Sequence, residues 1–403
     1  MKLYRNLANG IVEGVQEVLR NRRALRPTLR NILIRNRKWG SNDRKLVGKG
    51  IIEIIRWKRK LDVIGKLNLE SKNYYKNLLV VWSIYNDIEF EECLTFSELK
   101  KGSVCNNISI ANSKRAFKNS IPDWLDSLGM KTYGKVIWEK EIQALNRPAK
   151  LFLRTNTLKT NVKKLQAYLK ENNKVNTNEV SNIPNALVVE ENKILTHLDI
   201  YKKGWFEIQD LNSQKISIFT NPKPNMLIID TCAGSGGKSL HLATIMRNKG
   251  KIIATDSSDR KRKQLEKRLK RNGISIVEYL NSKNKDLLKK YNNSANIVII
   301  DAPCSGLGVL KRNPAAKWHM NPSRIRQLVG IQKKILQEYA TLVKSGGNLI
   351  YATCTIFPNE NQNQIKNFLK SKIGLEFNLE KQEVLLSQNT DGDGFYMAKL
   401  LKS

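Results

Sequence analysis

Apolar positions along this chain fall into three regimes. Up to about residue 145 they recur at helical spacing: Ile11-Val12, Val15 and Val18-Leu19, then Ile51-Ile52, Ile54-Ile55 and Trp57, then Leu78-Leu79 and Trp82. Such spacing puts one apolar stripe on each of several helices. From Leu151 short alternating runs take over. Leu151-Phe-Leu-Arg154-Thr-Asn156-Thr-Leu reads as a strand ending in polar groups, and a helix from Val162 to Asn172 follows. Ala186-Leu-Val-Val-Glu and Trp205-Phe-Glu-Ile-Gln209-Asp210 complete a predicted small α+β unit.

From Asn225 onward β-like and helical stretches alternate regularly. Met226-Leu-Ile-Ile229 is a buried strand ending at Asp230, followed by the loop Cys232-Ala233-Gly234-Ser235-Gly236-Gly237-Lys238 and a helix to about Asn248. Lys251-Ile-Ile-Ala254 leads to Thr255-Asp256 and a basic helix from Ser258 to Asn272, and Ile276 to Leu280 is the next strand. Asn296-Ile-Val-Ile-Ile300 runs into Asp301-Ala-Pro-Cys304-Ser-Gly, and Asn348-Leu-Ile350 runs into Tyr351-Ala-Thr-Cys354-Thr. Between these two lies an amphipathic segment, Pro322 to Val343, of the right size for a crossover helix. Asn359 to Lys370 is a last long helix, and Asp391-Gly-Asp-Gly394 is a tight turn feeding Phe395 to Leu400. Repeated β–α units closed by a hairpin predict an α/β fold: a doubly wound sheet with an antiparallel edge strand.

A strand–helix–strand unit makes its two strands parallel. If the strands are neighbours, they lie about 5 Å apart with their C-terminal ends on one edge. Cys304 and Cys354 would then open into a single crevice, where open α/β sheets bind ligands.

At 403 residues the chain has room for two or three domains. Its 71 Lys+Arg against 36 Asp+Glu give a formal net charge of +35, which calls for a polyanionic partner. Nucleic acid is the first reading, an acidic membrane surface the second. A genome biased toward A and T would also enrich the Lys and Asn seen here without any selection for binding. Basic residues crowd the helical region: Arg20, Arg22-Arg23, Arg26, Arg30, Arg35, Arg37-Lys38, Arg56 and Lys58-Arg59-Lys60, with Trp39 and Trp57 among them. Interleaved aromatic and basic side chains suit RNA phosphates and unstacked bases, while tryptophans packed inward under a solvated basic face would produce the same pattern. No apolar run approaches the ~20 residues of a membrane span. The N-terminus has the spacing of an amphipathic helix, not of a signal peptide. Five cysteines without framework spacing imply reduced thiols and a cytoplasmic protein.

The glycine loop admits three readings. A phosphate-binding loop wants glycine where Cys232 stands, and a nicotinamide site wants G-x-G-x-x-G, which Gly234-x-Gly236-Gly237 breaks. The third reading is S-adenosylmethionine, with the loop against the amino-acid part and Asp256, at the end of the next strand, on the ribose hydroxyls. A methyl donor beside two cysteines and an aspartate suggests alkylation of a carbon that is not itself nucleophilic, such as C5 of a pyrimidine. Thiolate addition at C6 makes C5 enamine-like, a donor near N3 stabilises the adduct, and a base removes the C5 proton. A free thiol has a pKa near ~8.5, so the site should lower it, and Lys238, Lys311-Arg312 and Lys317 are the candidate cations.

Taken together, Asp301-Ala-Pro-Cys304-Ser-Gly, Tyr351-Ala-Thr-Cys354-Thr, the Cys232–Lys238 loop and Asn313-Pro-Ala-Ala-Lys317-Trp318 resemble the RsmB/NOP/Sun-type RNA 5-methylcytosine methyltransferases. Asp393-Gly394-Phe395-Tyr-Met-Ala-Lys-Leu resembles that family's C-terminal strand, and Arg154-Thr-Asn156-Thr-Leu-Lys its small domain. The resemblance covers about Leu151 to Leu400. More weakly, Asp43-Arg44-Lys-Leu and the helical region resemble the NusB-like extension of the bacterial RsmB branch, which methylates small-subunit (16S) ribosomal RNA.

The resemblance implies a Rossmann-like methyltransferase sheet with an antiparallel C-terminal hairpin over 206–403, a small α+β RNA-binding subdomain over 146–205 and a helical RNA-binding domain over 1–145. It implies Cys354 as nucleophile, Cys304 in product release, and Asp301 at the cytosine ring near the cofactor methyl. Cys232, Ala233, Gly234, Ser235, Gly236, Gly237, Lys238 and Asp256 would bind S-adenosylmethionine, joined by Ser282 and Asp301. Arg154, Asn156 and Lys317 are expected at the RNA. No metal is expected, and the chain is expected to act as a monomer on 16S rRNA or a small-subunit precursor. Two departures stand out: Gly234-Ser235 replaces the family's Ala-Pro, and Ser282 stands where an acidic residue often faces the adenine, leaving Asn281 or Asn284 to substitute. A DNA cytosine methyltransferase is the nearest rival, disfavoured by the second cysteine. A ribosome-assembly or RNA-binding factor with the same fold and no catalysis is the alternative of another class.

Overall fold

The computed structural model describes the whole chain except residues 1, 91–96, 98, 100, 192, 283 and 284. It forms two compact units, Met1–Arg147 with Leu310–Pro322, and Pro148–Val309 with Ser323–Ser403. Among the described residues no helix is long and apolar enough to cross a membrane.

The first unit is helical, as its periodicity predicts. Leu7, Ile11, Val15 and Val18 on Arg5–Leu19 pack with Val47, Ile51, Ile54 and Ile55 on Ser41–Gly65 and with Leu78, Leu79 and Trp82 on Tyr74–Tyr85. The first two of these helices approach closely because Gly14 has no side chain: a Cβ there would stand 2.4 Å from Ile51 Cδ1. Trp39 is buried in the same core, against Gly10, so it offers no ring for base stacking. Arg20, Arg22, Arg23, Arg26, Arg30, Arg35, Arg37 and Lys38 are exposed, as a phosphate-binding face requires. Arg56 is not. It is buried and donates to the carbonyls of Leu310 and Lys311 at 3.2 and 2.8 Å.

The segment Leu310–Pro322 belongs to this helical unit, although the expected boundaries assign it to the methyltransferase part. Its core contacts explain why. Ala315 is buried in the helical core, Trp318 packs against it, and Trp318 Nε1 donates to the Ile55 carbonyl at 2.6 Å. Local periodicity carries no trace of such an excursion, because partners such as Ile55 are more than 250 residues away.

The second unit holds two sheets. The smaller has strand order β2-β3-β1-β4, from Thr177–Glu179, Ala186–Val189, Leu151–Thr155 and Phe206–Ile208. All its pairs are antiparallel. The expected boundary at 205 falls just before its last strand, which pairs with β1 through Thr155↔Phe206 to Leu153↔Ile208. The larger sheet has order β10-β11-β9-β8-β5-β6-β7. Its parallel strands are β5 (Leu227–Asp230), β6 (Lys251–Asp256), β7 (Val277–Asn281), β8 (Ala295–Asp301) and β9 (Val343–Thr353). They read as apolar runs because helices cover both faces. The hairpin β10 (Phe377–Leu385) and β11 (Phe395–Lys402) closes the sheet antiparallel to β9. β10 left no apolar signature because it is an edge strand, mostly exposed along its length.

Candidate active site

β8 and β9 are paired neighbours in parallel register, with Ile300 opposite Tyr351 and Asp301 opposite Ala352. Both strands end at one edge, and the loops beyond them bring the two thiols together: Cys304 Sγ lies 3.2 Å from Cys354 Sγ. The backbone N–H of Cys354 also points at Cys304 Sγ, at 3.3 Å. Cys304 holds its proton well above the usual thiol range, first through the hydrogen bond with Cys354 and then through burial and the nearby negative charge.

The glycine loop joins β5 to the helix Gly237–Ile245. Gly234 and Gly236 both take left-handed conformations, φ +58° and +83°, which side chains rarely tolerate. The loop is pinned from several sides. Gly236 N–H donates to Ala233 O at 2.9 Å, and Ala233 N–H to Thr255 O at 2.9 Å. Arg268 donates through Nη1 to Ser235 O and Oγ at 2.8 and 3.1 Å, and through Nη2 to Glu207 at 2.9 Å. Glu207 is buried and also takes Arg271 and Asn272. Burial opposes its charge, but the two guanidiniums outweigh it and hold the carboxyl below its ordinary range.

Asp256 lies beside this loop at the end of β6. Its Oδ2 accepts from Gly234 N–H at 3.1 Å and Lys261 Nζ at 3.0 Å, and its Oδ1 from Ser258 N–H at 3.0 Å. A carboxylate offers about four acceptor positions, so one remains on Oδ1 for a hydroxyl. A Cβ added at Gly234 would meet no atom within 4 Å, and one at Gly237 only Gln209 Nε2 at 3.9 Å. An open loop edge next to an acidic acceptor fits the amino-acid and ribose parts of S-adenosylmethionine. Ser282 N–H donates to the Asp256 carbonyl at 3.3 Å, which puts Ser282 near that acceptor. Asn284 lies outside the described residues.

Lys238 is buried and donates to Asp301 Oδ2 at 2.5 Å. Burial disfavours its charge, yet Asp301 and Asp230 more than compensate, so it holds its proton more tightly than in water. Cys354 also lies within reach of that positive charge. Cys232, in contrast, is no nucleophile: burial and the carboxylates of Asp301 and Asp230 push its thiol up to about 12. Asp230 is itself pushed up to about 6 by burial, although Ser239 Oγ donates to it at 2.6 Å.

Three residues expected at the RNA are elsewhere. Arg154 is buried and donates to Gln209 and, at 2.9 Å, to the Gly237 carbonyl, so it braces the glycine loop from below. Asn156 is buried and donates to Gly204 O and Asn272 O at 2.8 and 3.0 Å. Lys317 is 0% exposed within the helical unit and donates to Arg56 O at 2.8 Å and Asn146 Oδ1 at 3.2 Å. Burial, then the neighbouring Arg56, lower its pKa far below 10.5. Lys311 and Arg312 share its segment. Of the cations expected to activate a thiol, Lys238 is the one this unit itself supplies.

Residues that sequence reasoning passed over include Arg268, Glu207 and Glu360. Glu360 follows Cys354 by six positions in Pro358-Asn-Glu, and that closeness is the one signal available in the chain.

Residues 217–401 match the family described as 16S rRNA methyltransferase RsmB/F, and residues 121–195 match the ferredoxin-like domain of RsmF/B-like methyltransferases. "Probable ribosomal RNA small subunit methyltransferase B" of Synechocystis is 35% identical over 256 residues, 62% of this chain and 56% of that protein. The ribosomal RNA small subunit methyltransferase B of Enterobacter is 30% identical over 297 residues, 72% of this chain and 68% of that one. The crystal structure of PH0851 superposes over 100% of both chains with a TM-score of 0.82 at 23% identity, a likeness of fold.

Proposed function

Because the chain belongs to the RsmB/F family of 16S rRNA methyltransferases, we propose that it transfers a methyl group from S-adenosylmethionine to C5 of a cytosine in small-subunit ribosomal RNA. The observation that carries this reading is the 3.2 Å approach of Cys304 and Cys354. Lys238 and Asp301 pair within the same unit, and Lys238 lies in the first turn of the helix that follows the cofactor loop.

S-adenosylmethionine, when bound by the 232–238 loop and Asp256, supplies an electrophilic methyl group. Cys354 is the nucleophile: its thiolate adds to cytosine C6 and makes C5 nucleophilic. Asp301, held by Lys238, contacts the ring around N3. Cys304 keeps its proton at the start because a second negative charge beside Cys354 is disfavoured. Once Cys354 is bonded to carbon it carries no charge, and the restraint on Cys304 falls away. Cys304 can then release its proton to bulk water and serve as the base that removes the C5 proton; the C5–C6 double bond re-forms, the electron pair of the C6–sulfur bond returns to Cys354, and product leaves. A stacked or paired target must first leave the helix to reach Cys354.

Bisulfite sequencing of total RNA from cells with and without this protein tests the reading. One protected cytosine in small-subunit rRNA that depends on the protein is the expected result; identical conversion profiles would reject it.

A further inference from the structure

Glu360 has no task in the chemistry above, yet it is among the most enclosed charged residues of its unit, with 0% exposure. It lies just beyond the Cys354 loop, but its carboxylate faces the loop of the other cysteine. Oε1 accepts from the backbone N–H of Ser305 at 2.8 Å and from Gln332 Nε2 at 3.0 Å, and Oε2 accepts from Ser305 Oγ at 2.6 Å. Gln332 Nε2 also donates to the Pro303 carbonyl at 2.9 Å. The backbone on both sides of Cys304 is therefore held by Glu360 and its bonded neighbour.

The same turn grips the other cysteine. Asn361 accepts from Thr353 Oγ1 at 2.6 Å and donates through Nδ2 to Thr355 O at 3.0 Å, so it brackets Cys354. Tyr351 OH donates to the Glu360 carbonyl at 2.8 Å, fixing the turn to β9. Among the described residues all three donors to the Glu360 carboxylate are uncharged, and a buried carboxylate without a cation is an expensive way to fill space. Apolar packing would stabilise the fold at lower cost. What the carboxylate adds is direction: its two oxygens fix the Ser305 backbone and side chain at once.

We propose that Glu360 is a positioning residue that latches the Cys304 loop onto the Cys354 loop and keeps the two sulfurs within reach of one another. This rests on the reading of Cys304 and Cys354 as the working thiols. The group acts through Ser305 and touches no reacting atom.

Dibromobimane, which becomes fluorescent when it bridges two nearby thiols, tests this on the full chain. Peptide mapping assigns the bridge to Cys304 and Cys354, and Glu360→Gln and Glu360→Ala are compared with the parent. Single-turnover methyl transfer and S-adenosylmethionine affinity are measured beside it. Bridging should slow in both variants, and methyl transfer should fall by about 10²-fold in Glu360→Ala and about tenfold in Glu360→Gln. Cofactor affinity should stay within about twofold, since the glycine loop is held by other residues. If Glu360→Ala does not fold, the near-isosteric Gln variant decides. Bridging and transfer unchanged in Glu360→Gln would overturn the proposal, as would a loss of cofactor affinity in step with turnover. A parent that shows Glu360-dependent bridging but methylates no RNA would keep the latch and refute the functional reading instead.

Discussion

Cys304 and Cys354 sit at the ends of adjacent parallel strands with their sulfurs 3.2 Å apart, and the first keeps its proton because of the second. Two thiolates at that distance would repel strongly, so the two sulfurs do not carry charge together. The proposed reaction uses them in turn, one as nucleophile first and the other as base later.

Replacing Cys354 by Ala should reduce methyl transfer to background. Cys304→Ala should instead accumulate a covalent protein–RNA adduct, seen as a band resistant to denaturing electrophoresis. Trapping by the Cys354 variant and none by the Cys304 variant would reverse the assigned roles.

Arg268 clamps Ser235 between two glycines of left-handed conformation, in a loop with little stiffness of its own. Arg268→Met should weaken S-adenosylmethionine binding by about tenfold, the effect of losing hydrogen bonds to a charged donor. Ser235→Ala removes only the hydroxyl contact and should change the affinity by less than about threefold. Isothermal titration calorimetry checks both.

Lys317 gives a pH signature. Its pKa in the folded chain lies far below 10.5, chiefly through burial. Between those two values the unfolded chain binds the extra proton, so stability should rise with pH across that window and level off near the unfolded value. Lys317→Met should lose that rise. Its removal also leaves the Arg56 carbonyl and Asn146 Oδ1 short of a donor, a cost of about 1–3 kcal/mol at neutral pH. Thermal melts from pH 7 to about 9.5 follow both effects.

RNA binding should weaken steeply with salt, because exposed Arg20, Arg22, Arg23, Arg26, Arg30, Arg35, Arg37 and Lys38 offer phosphate contacts. Changing Arg23, Arg26 and Arg30 to Gln should lower the slope of log affinity against log salt by about 2 to 3. An unaltered slope would mean that this face is merely solvated.

The order of buried strands, the glycine loop and the two cysteines at strand ends were legible in the chain. A strand covered on both faces must be apolar throughout, and chemistry in such sheets gathers where the strands end. Residue types alone also carried the family resemblance. What they could not convey was which polar side chains turn inward. Arg154, Asn156 and Lys317 belong to types that usually face water, and only their distant partners, Gly237, Asn272 and Asn146, make burial affordable. The same holds for Glu360. Its place behind Cys304 depends on strand pairing that brings position 305 to position 360, and no local pattern encodes a partner across a sheet. Sequence by itself determined which atoms are available for the reaction. Tertiary structure decided which of them meet, because a hydrogen bond is directional and short while the chain between its ends is long.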